Sequence, residues 1–583
     1  MLSRRVLLAT LCITASYLSA CSLEGREPKL RKQELSNEVQ RSLSVASTAH
    51  NQQIIVGVFI DMARHLGTIS PLIYGLAGGN PVLWKQTRPT IIRWGGTPSS
   101  RYNWHLGNAW NAARDWQFRN GNYGHRSAAD RQPSGVADQW LIANKGIGAS
   151  SLLTIPALGW VAKDDKNSSR SIDVPAHGGP ALPGSASGAI AGYDPTANRQ
   201  RTSVKSSARG APGTTVAQQE WVKHFVGRFG SAESGGVEFY AIDNEPDLWG
   251  EIHTDVHPAR VGYDQAVALF LEYALAIKEV DPTAKVTGPV VSGWTGYFYS
   301  GLDRGTDNFR TAADRQAHGG VAFLPWWLGQ VHTHDIAAEQ RTLDYLDVHY
   351  YPQGGEYPGT TSSAQMDALR LRSTRSLWDP SYVDESWIAR TWDDREKRGI
   401  VALIPRLKRW VTQAYPGTKI AITEWNWGAD ATLNGALAIV EVLGIFGREG
   451  VDLATYWAYP AAGSPGAAAF QLYRNYDGHG AAFGQEAIQA TSSDPDHVSA
   501  YAALGTTGQE LTVILLNKDP HVAAGAGLQI HGFTGELQGT LWRFDQEHPT
   551  IVRMGGTVTV TDGQGHLVLP PYSATLLRIQ RRA

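Results

Sequence analysis

The chain has 583 residues and a formal net charge of −2, from 52 basic and 54 acidic side chains. That length exceeds one ordinary domain and implies two, and the charge balance supplies no basic face for nucleic acid, so no nucleic-acid partner is expected. Trp is abundant, at 20 residues; indole faces stack on sugar rings, although core packing is the ordinary use of the residue.

The first 21 residues read as an export signal rather than as fold. Arg4-Arg5 makes a positive start, residues 6–17 are apolar but too few to span a bilayer, and Leu18-Ser19-Ala20-Cys21 closes the segment with small residues. The tetrapeptide resembles a bacterial lipobox, whose Cys becomes the acylated N-terminus, and Ser3-Arg4-Arg5-Val6-Leu7-Leu8 is loosely similar to a twin-arginine signal. The expectation is lipidation at Cys21 and an exported lipoprotein held at a membrane; the alternative is a plain secretory signal and a periplasmic or secreted product. Cys12 lies inside the signal, so the mature chain keeps no Cys for a disulfide or thiol chemistry. Residues 22–51 are polar and read as a tether. No later apolar run is long enough to cross a bilayer.

Residues 54–60 form an isolated strand-like run, expected to pair into a second domain. Eight short apolar runs follow, at 73–77, 90–94, 151–156, 237–242, 285–291, 345–350, 419–423 and 453–459, and intervening segments such as 263–280 and 435–446 carry the three-to-four spacing of helices. Strands alternating with helices imply parallel pairing. Eight repeats imply an α/β fold of the (β/α)8 TIM-barrel type over residues 67–484, with its chemistry on the loops after the strand C-termini; another doubly wound α/β fold is the alternative. From about residue 485 the runs 511–517, 539–543, 557–561 and 574–579 alternate between Gly, Pro and Asp turns, which reads as an accessory antiparallel β-sandwich built from 52–66 and 485–583. Two long stretches, 163–213 after the third strand and 353–394 after the sixth, are candidates for the walls of a cleft; the second carries Trp378, Trp387 and Trp392.

Two acidic motifs carry the chemistry. Asp243-Asn244-Glu245-Pro246 follows the fourth run and Ile422-Thr423-Glu424-Trp425-Asn426 ends the seventh, each placing one carboxylate where a strand meets its loop. One such Glu reads as a helix cap or a surface ion pair. Two are what cleavage of a glycosidic bond requires, one to protonate the leaving oxygen and one to attack the anomeric carbon or activate water. Arg93 ends the second run, where it would hold Glu424 ionised or sit in a barrel-core ion pair. His349 and Tyr351, two apart, share a face; a satisfied core His is the alternative.

Taken together, Tyr240-Ala241-Ile242-Asp243-Asn244-Glu245-Pro246-Asp247-Leu248-Trp249, Arg93-Trp94-Gly95-Gly96, Tyr102-Asn103-Trp104, Asp347-Val348-His349-Tyr350-Tyr351-Pro352-Gln353 and Ile422-Thr423-Glu424-Trp425-Asn426 resemble glycoside hydrolase family 44, from about residue 54 to the C-terminus. That resemblance implies a barrel-plus-sandwich endoglucanase or xyloglucanase acting by retention, with Glu245 as acid/base and Glu424 as nucleophile. It also implies that Asn244 contacts the sugar 2-hydroxyl, that Trp457 floors the −1 subsite, and that the His349 and Tyr351 position supports the nucleophile or touches sugar; Arg93 is a further substrate-binding candidate. Trp425 and Trp427 flank the nucleophile and are further substrate-binding candidates, whereas Trp326-Trp327 reads as packing. The expected partner is a β-1,4-glucan, xyloglucan or cellulose-type, acted on by a monomer. A mannan- or xylan-active hydrolase and a non-catalytic glycan-binding surface lipoprotein are the alternatives. The chain departs from the family pattern at Thr97-Pro98, where an Asn is expected after Gly-Gly, and at His105, where relatives carry Glu. Family members can hold a structural calcium near the third strand's loop. Asp164 and Asp165 could serve it, but His105 is a poor ligand for a hard cation, and the expectation is no metal in the site and no required cofactor.

Overall fold

The computed structural model describes residues 53–111, 120–122, 132–165, 203–253, 256–359, 363–391 and 399–580. The signal, Cys21, the tether, most of the 163–213 stretch and Trp392 lie outside the described residues.

Eight parallel strands close into a barrel: Gly75–Leu76, Ile91–Trp94, Ser150–Ile155, Phe239–Ile242, Lys285–Val291, Tyr345–Tyr350, Lys419–Trp425 and Leu453–Tyr456. The first is shorter than its apolar run because Pro71–Ile73 turns into a short helix, whose first turn is capped by the Ser70 side chain. The seventh runs two residues further than its run, carrying Glu424 and Trp425 within the sheet. The helix Tyr263–Val280 matches its periodic segment, and Leu433–Glu449 extends the segment at 435–446 by a turn.

The barrel interior is layered. Ile91, Leu152, Phe239, Ala241, Val290, Tyr345, Ala421 and Leu453 form an apolar plug at the strand starts. Above it lies a polar layer in which Asp347 accepts from Thr287 Oγ1 at 2.7 Å and Thr423 Oγ1 at 2.6 Å. A still higher layer holds Arg93, Asn244, His349 and Glu424, all at least 95 % buried. Polar side chains inside a barrel must be paired with one another, because water cannot satisfy them there. The plug leaves only the C-terminal mouth open to chemistry.

The second domain is a ten-stranded sheet that curls until Glu536–Phe544 meets Ser573–Gln580. Among the described residues it is antiparallel except for one pair: Ile54–Thr68 runs parallel to Ala524–His531 and antiparallel to Glu486–Ser492. The chain thus enters through this sheet, builds the barrel, and returns to the same sheet. Strand alternation splits its residues between two cores. Val513 and Leu515 point into the sandwich, whereas Ile514 and Leu516 join the core cluster shared with the barrel.

The candidate active site

Glu245 and Glu424 meet at the barrel mouth, and the local backbone explains how. Strand seven carries a register shift: Val348 pairs with Ile422, but His349 pairs with Glu424. Thr423 is skipped, so two consecutive side chains, Thr423 and Glu424, both turn inward, which strict alternation forbids. Bulges beside active sites re-aim side chains in this way. After strand four, Asp243 and Glu245 both adopt positive φ, at 59° and 48°. Asp243 pins this bend. Its carboxylate accepts from Ser100 Oγ, from the backbone N–H groups of Ala157 and Leu158, and from the Asn244 N–H. It thereby ties the loops after strands two, three and four together. Burial pushes its pKa up to about 6, against the pull of those donors.

Arg93 organises the site. Nη1 donates to Glu424 Oε1 at 2.7 Å, Nη2 to Asn244 Oδ1 at 2.8 Å, and Nη2 also faces His349 Nε2 at 3.4 Å. Tyr351 OH donates to the other nucleophile oxygen, Glu424 Oε2, at 2.8 Å. Both oxygens of Glu424 are therefore held, one by a cation, in a pocket where its side chain is 7 % exposed. Donors on both oxygens favour the charged form and aim the carboxylate, as a nucleophile requires. Asn244 Oδ1 accepts from Arg93 and from the Gly96 N–H, which fixes the amide so that its NH2 is the edge turned away from the arginine. His349 Nδ1 stands 3.0 Å from Glu245 Oε1 and 3.4 Å from Glu424 Oε2. Burial drives the His349 pKa down to about 3, with Arg93 pushing the same way and Glu424 opposing, so the ring is neutral.

The closest oxygens of Glu245 and Glu424 and a ring nitrogen of His349 lie within 4.8 Å of one another. Retaining glycosidases hold their carboxyls about 5–5.5 Å apart, and inverting ones about 6.5–9.5 Å; oxygens of the two glutamates within 4.8 Å of each other suit the closer arrangement.

Trp457 is half-buried at the end of strand eight, its ring 5.9 Å from the Arg93 guanidinium carbon. Two glycines make this possible. A Cβ on Gly95 would collide with the Arg93 guanidinium, and one on Gly96 would collide with the Trp457 ring. Tyr357 was not foreseen from sequence. It stacks on Tyr351 with centroids 4.7 Å apart, and its hydroxyl is raised by burial and by the charges of Glu424 and Glu245. The only sequence signal for it is an aromatic within the turn-rich run Gly354-Gly355-Glu356-Tyr357-Pro358.

Two expectations are corrected. Trp425 and Trp427 are both fully buried and do not line the cleft. Since Glu424 points inward, Trp425 points outward, where it packs on Phe446 and Tyr456. Trp427 turns back under the sixth strand's loop and donates to Ser373 Oγ at 3.1 Å. Trp378 likewise leaves the cleft, packing against the Arg448 guanidinium at 4.2 Å. Trp387 stays beside the sixth strand's loop, donating to Gln353 Oε1. Trp327 is buried against Phe270. Asp164 accepts from Asn120 Nδ2 with both its carbonyl and Oδ1.

Comparison with known proteins agrees with this geometry. The model of glycoside hydrolase family 44 matches residues 109–354. Endoglucanase A of Paenibacillus lautus is 32 % identical over 536 residues, covering 88 % of this chain and 71 % of that protein. Among solved structures, CelM2, a bifunctional glucanase-xylanase from a metagenome library, is 36 % identical with a TM-score of 0.81, covering 91 % of this chain and all of that one. A Paenibacillus polymyxa xyloglucanase of family 44 is 28 % identical with a TM-score of 0.77, covering 90 % and 100 %. With this likeness running through both domains and the two glutamates in place at the barrel mouth, the chain belongs to glycoside hydrolase family 44.

Proposed function

We propose that this enzyme cleaves β-1,4-glucan backbones internally, xyloglucan or cellulose-type glucan, by a retaining double displacement. The observation that carries the mechanism is the approach of Glu245 and Glu424 to within 4.8 Å. In the first step a Glu424 oxygen attacks the anomeric carbon, the glycosidic C–O bond breaks, and Glu245 gives its proton to the departing oxygen. In the second, Glu245, now a carboxylate, takes a proton from water, whose oxygen displaces Glu424 and restores the starting configuration. The Asn244 NH2 is the donor available to the sugar 2-hydroxyl, a bond that strengthens as positive charge develops on the ring. The names of the relatives support the substrate: one is an endoglucanase and one a xyloglucanase.

A second reading, hydrolysis of a xylan backbone at the same two glutamates, is favoured by the glucanase-xylanase name of CelM2. Incubation with xyloglucan, β-glucan, xylan and mannan decides between them, reading viscosity against reducing ends. A fall in viscosity before many ends appear, on glucans first, is the expected result. Small sugars released at constant viscosity would refute internal cleavage, and activity confined to xylan or mannan would refute the substrate. For the roles, Glu424→Gly should abolish turnover. Glu245→Ala should spare aryl glycosides, whose leaving group needs little protonation, and azide should restore it with a β-configured product. We further propose that Cys21 is acylated and tethers the enzyme to a membrane; Cys21→Ser would then release it or leave it unprocessed, and a wholly soluble wild type would refute the tether.

A further inference from the structure

We propose that His349 is a positioning residue that keeps its Nδ1–H donated to Glu245 Oε1 through both half-reactions, and that it thereby confines the transferable proton of Glu245 to Oε2 and steadies the Glu245 carboxylate once that proton has left. The inference rests on the retaining reading above and deepens it.

The tautomer is fixed by what surrounds the ring. Nε2 faces Arg93 Nη2 at 3.4 Å, and a guanidinium offers only donors, so Nε2 must present its lone pair. A neutral imidazole holds one proton, which then sits on Nδ1. The ring is neutral because it is fully buried beside a cation. Turning the ring over would exchange Nδ1 and Nε2 for ring carbons and forfeit the contacts with both Glu245 and Arg93.

From that one proton the chemistry follows. Nδ1–H is hydrogen-bonded to Glu245 Oε1 at 3.0 Å, and Glu424 Oε2 stands 3.4 Å from the same nitrogen. In the retaining reading Glu424 attacks as the carboxylate and Glu245 starts as the acid. Because Oε1 of Glu245 accepts from Nδ1–H, its acidic proton resides on Oε2, the oxygen that must face the glycosidic bond. After the first step Glu424 is an ester and a poor acceptor, while Glu245 has become the anion. The same N–H, already at the shorter distance, then makes a charge-assisted bond to Glu245. His349 never changes protonation; the charge moves past it. Arg93 cannot do this, because its Nη1 and Nη2 are engaged on Glu424 and Asn244.

The other titratable and charged groups around this centre are Arg93 on the second strand, Asp347 one layer below on the sixth, Tyr351 and Tyr357 on the sixth strand's loop, and Glu424 on the seventh. A donor to the carboxylate form lowers a carboxyl pKa. Losing it should raise that of Glu245 and move the basic limb of kcat/KM upward.

The test compares His349→Asn with His349→Gln, each checked for folding by thermal melt, on a substrate with a poor leaving group. The Asn amide reaches the Nδ1 position and the Gln amide reaches the Nε2 position instead. His349→Asn should keep the basic limb near that of the wild type. His349→Gln should move it up by about one pH unit, with a smaller upward move of the acidic limb, since Arg93 and Tyr351 still hold Glu424. Identical profiles for the two variants, or an unmoved basic limb in His349→Gln, would overturn the proposal. The retaining reading would survive either result, because it fails separately, through turnover by Glu424→Gly or absence of azide rescue in Glu245→Ala.

Discussion

Gly96→Ala tests whether the Trp457 platform is set by backbone geometry. Gly96 has φ 89° and ψ 169°, a conformation essentially reserved for glycine that costs another residue about 1–3 kcal/mol. The added methyl would also lie 3.1 Å from Trp457 Cζ3 and closer still to Cη2. To regain an ordinary carbon–carbon separation of about 3.5 Å at the closest ring atom, the ring must retreat by about 1 Å. A displacement of about 1 Å in an active site costs on the order of 100-fold, so kcat/KM on xyloglucan should fall roughly 10- to 100-fold, equivalent to about 1.4–2.7 kcal/mol. Initial rates on polymer and chemical denaturation, measured on the same preparation, separate the two effects. A variant that is destabilised but keeps at least half of the wild-type kcat/KM would show that the ring position is not what Gly96 secures.

Two further outcomes follow from burial. Trp427→Phe removes a buried N–H bonded to Ser373 and leaves a small void, so it should cost about 1–3 kcal/mol of stability and leave KM unchanged; a raised KM at wild-type stability would restore Trp427 to the cleft. Asp347 is fully buried and its pKa is pushed up to about 6, first by burial. A carboxyl raised in the native state binds its proton there before it does in the unfolded chain. Wild type should therefore gain stability as pH falls from about 6 towards about 4, with Asp347 contributing on the order of 2–3 kcal/mol alongside Asp243, which is raised to about 6 as well, and the slope should fall by about half in Asp347→Asn, whose hydroxyl partners can reorient. An unchanged slope in the variant would assign the effect elsewhere.

The barrel strands were legible because a short apolar run between helical segments buries both of its faces most readily as an interior parallel strand. The C-terminal ends of those runs located both glutamates, Arg93, Asn244, His349, Tyr351 and Trp457 at one mouth. The strands Glu486–Ser492, Val498–Leu504 and Ala524–His531 were not legible: they are rich in Ala, Gly and Ser, and their β character comes from pairing partners rather than propensity. At the site, alternation alone excludes Trp425 from the cleft once Glu424 is inside. The inward pairing of Thr423 with Glu424 was not foreseeable, because the bulge appears only in the register against strands six and eight. Asp243 is a similar case. A sequence shows an acid beside the catalytic motif, but not that loops from three strands converge on it.

The accessory domain bears on catalysis through one helix. Leu433–Glu449 follows the nucleophile's strand, and every residue from Asn434 to Gly447 is buried. A helix on the outside of a barrel ordinarily keeps a polar stripe toward water, yet this one has none because the sandwich covers its outer side. Tyr501 of the sandwich lies so close to Gly444 that a Cβ there would stand 2.6 Å from the ring. Glu441, the one acid in the buried run, accepts from Ser499 Oγ at 2.7 Å and Lys518 Nζ at 3.2 Å, both on the sandwich. An uncompensated buried carboxylate is costly, so the two domains satisfy each other's polar groups as well as sharing an apolar core. Loss of the sandwich would bare that apolar surface and strand Glu441 on the element directly behind strand seven. The helix behind the nucleophile's strand thus rests on a domain that, among the described residues, contributes none to the catalytic centre.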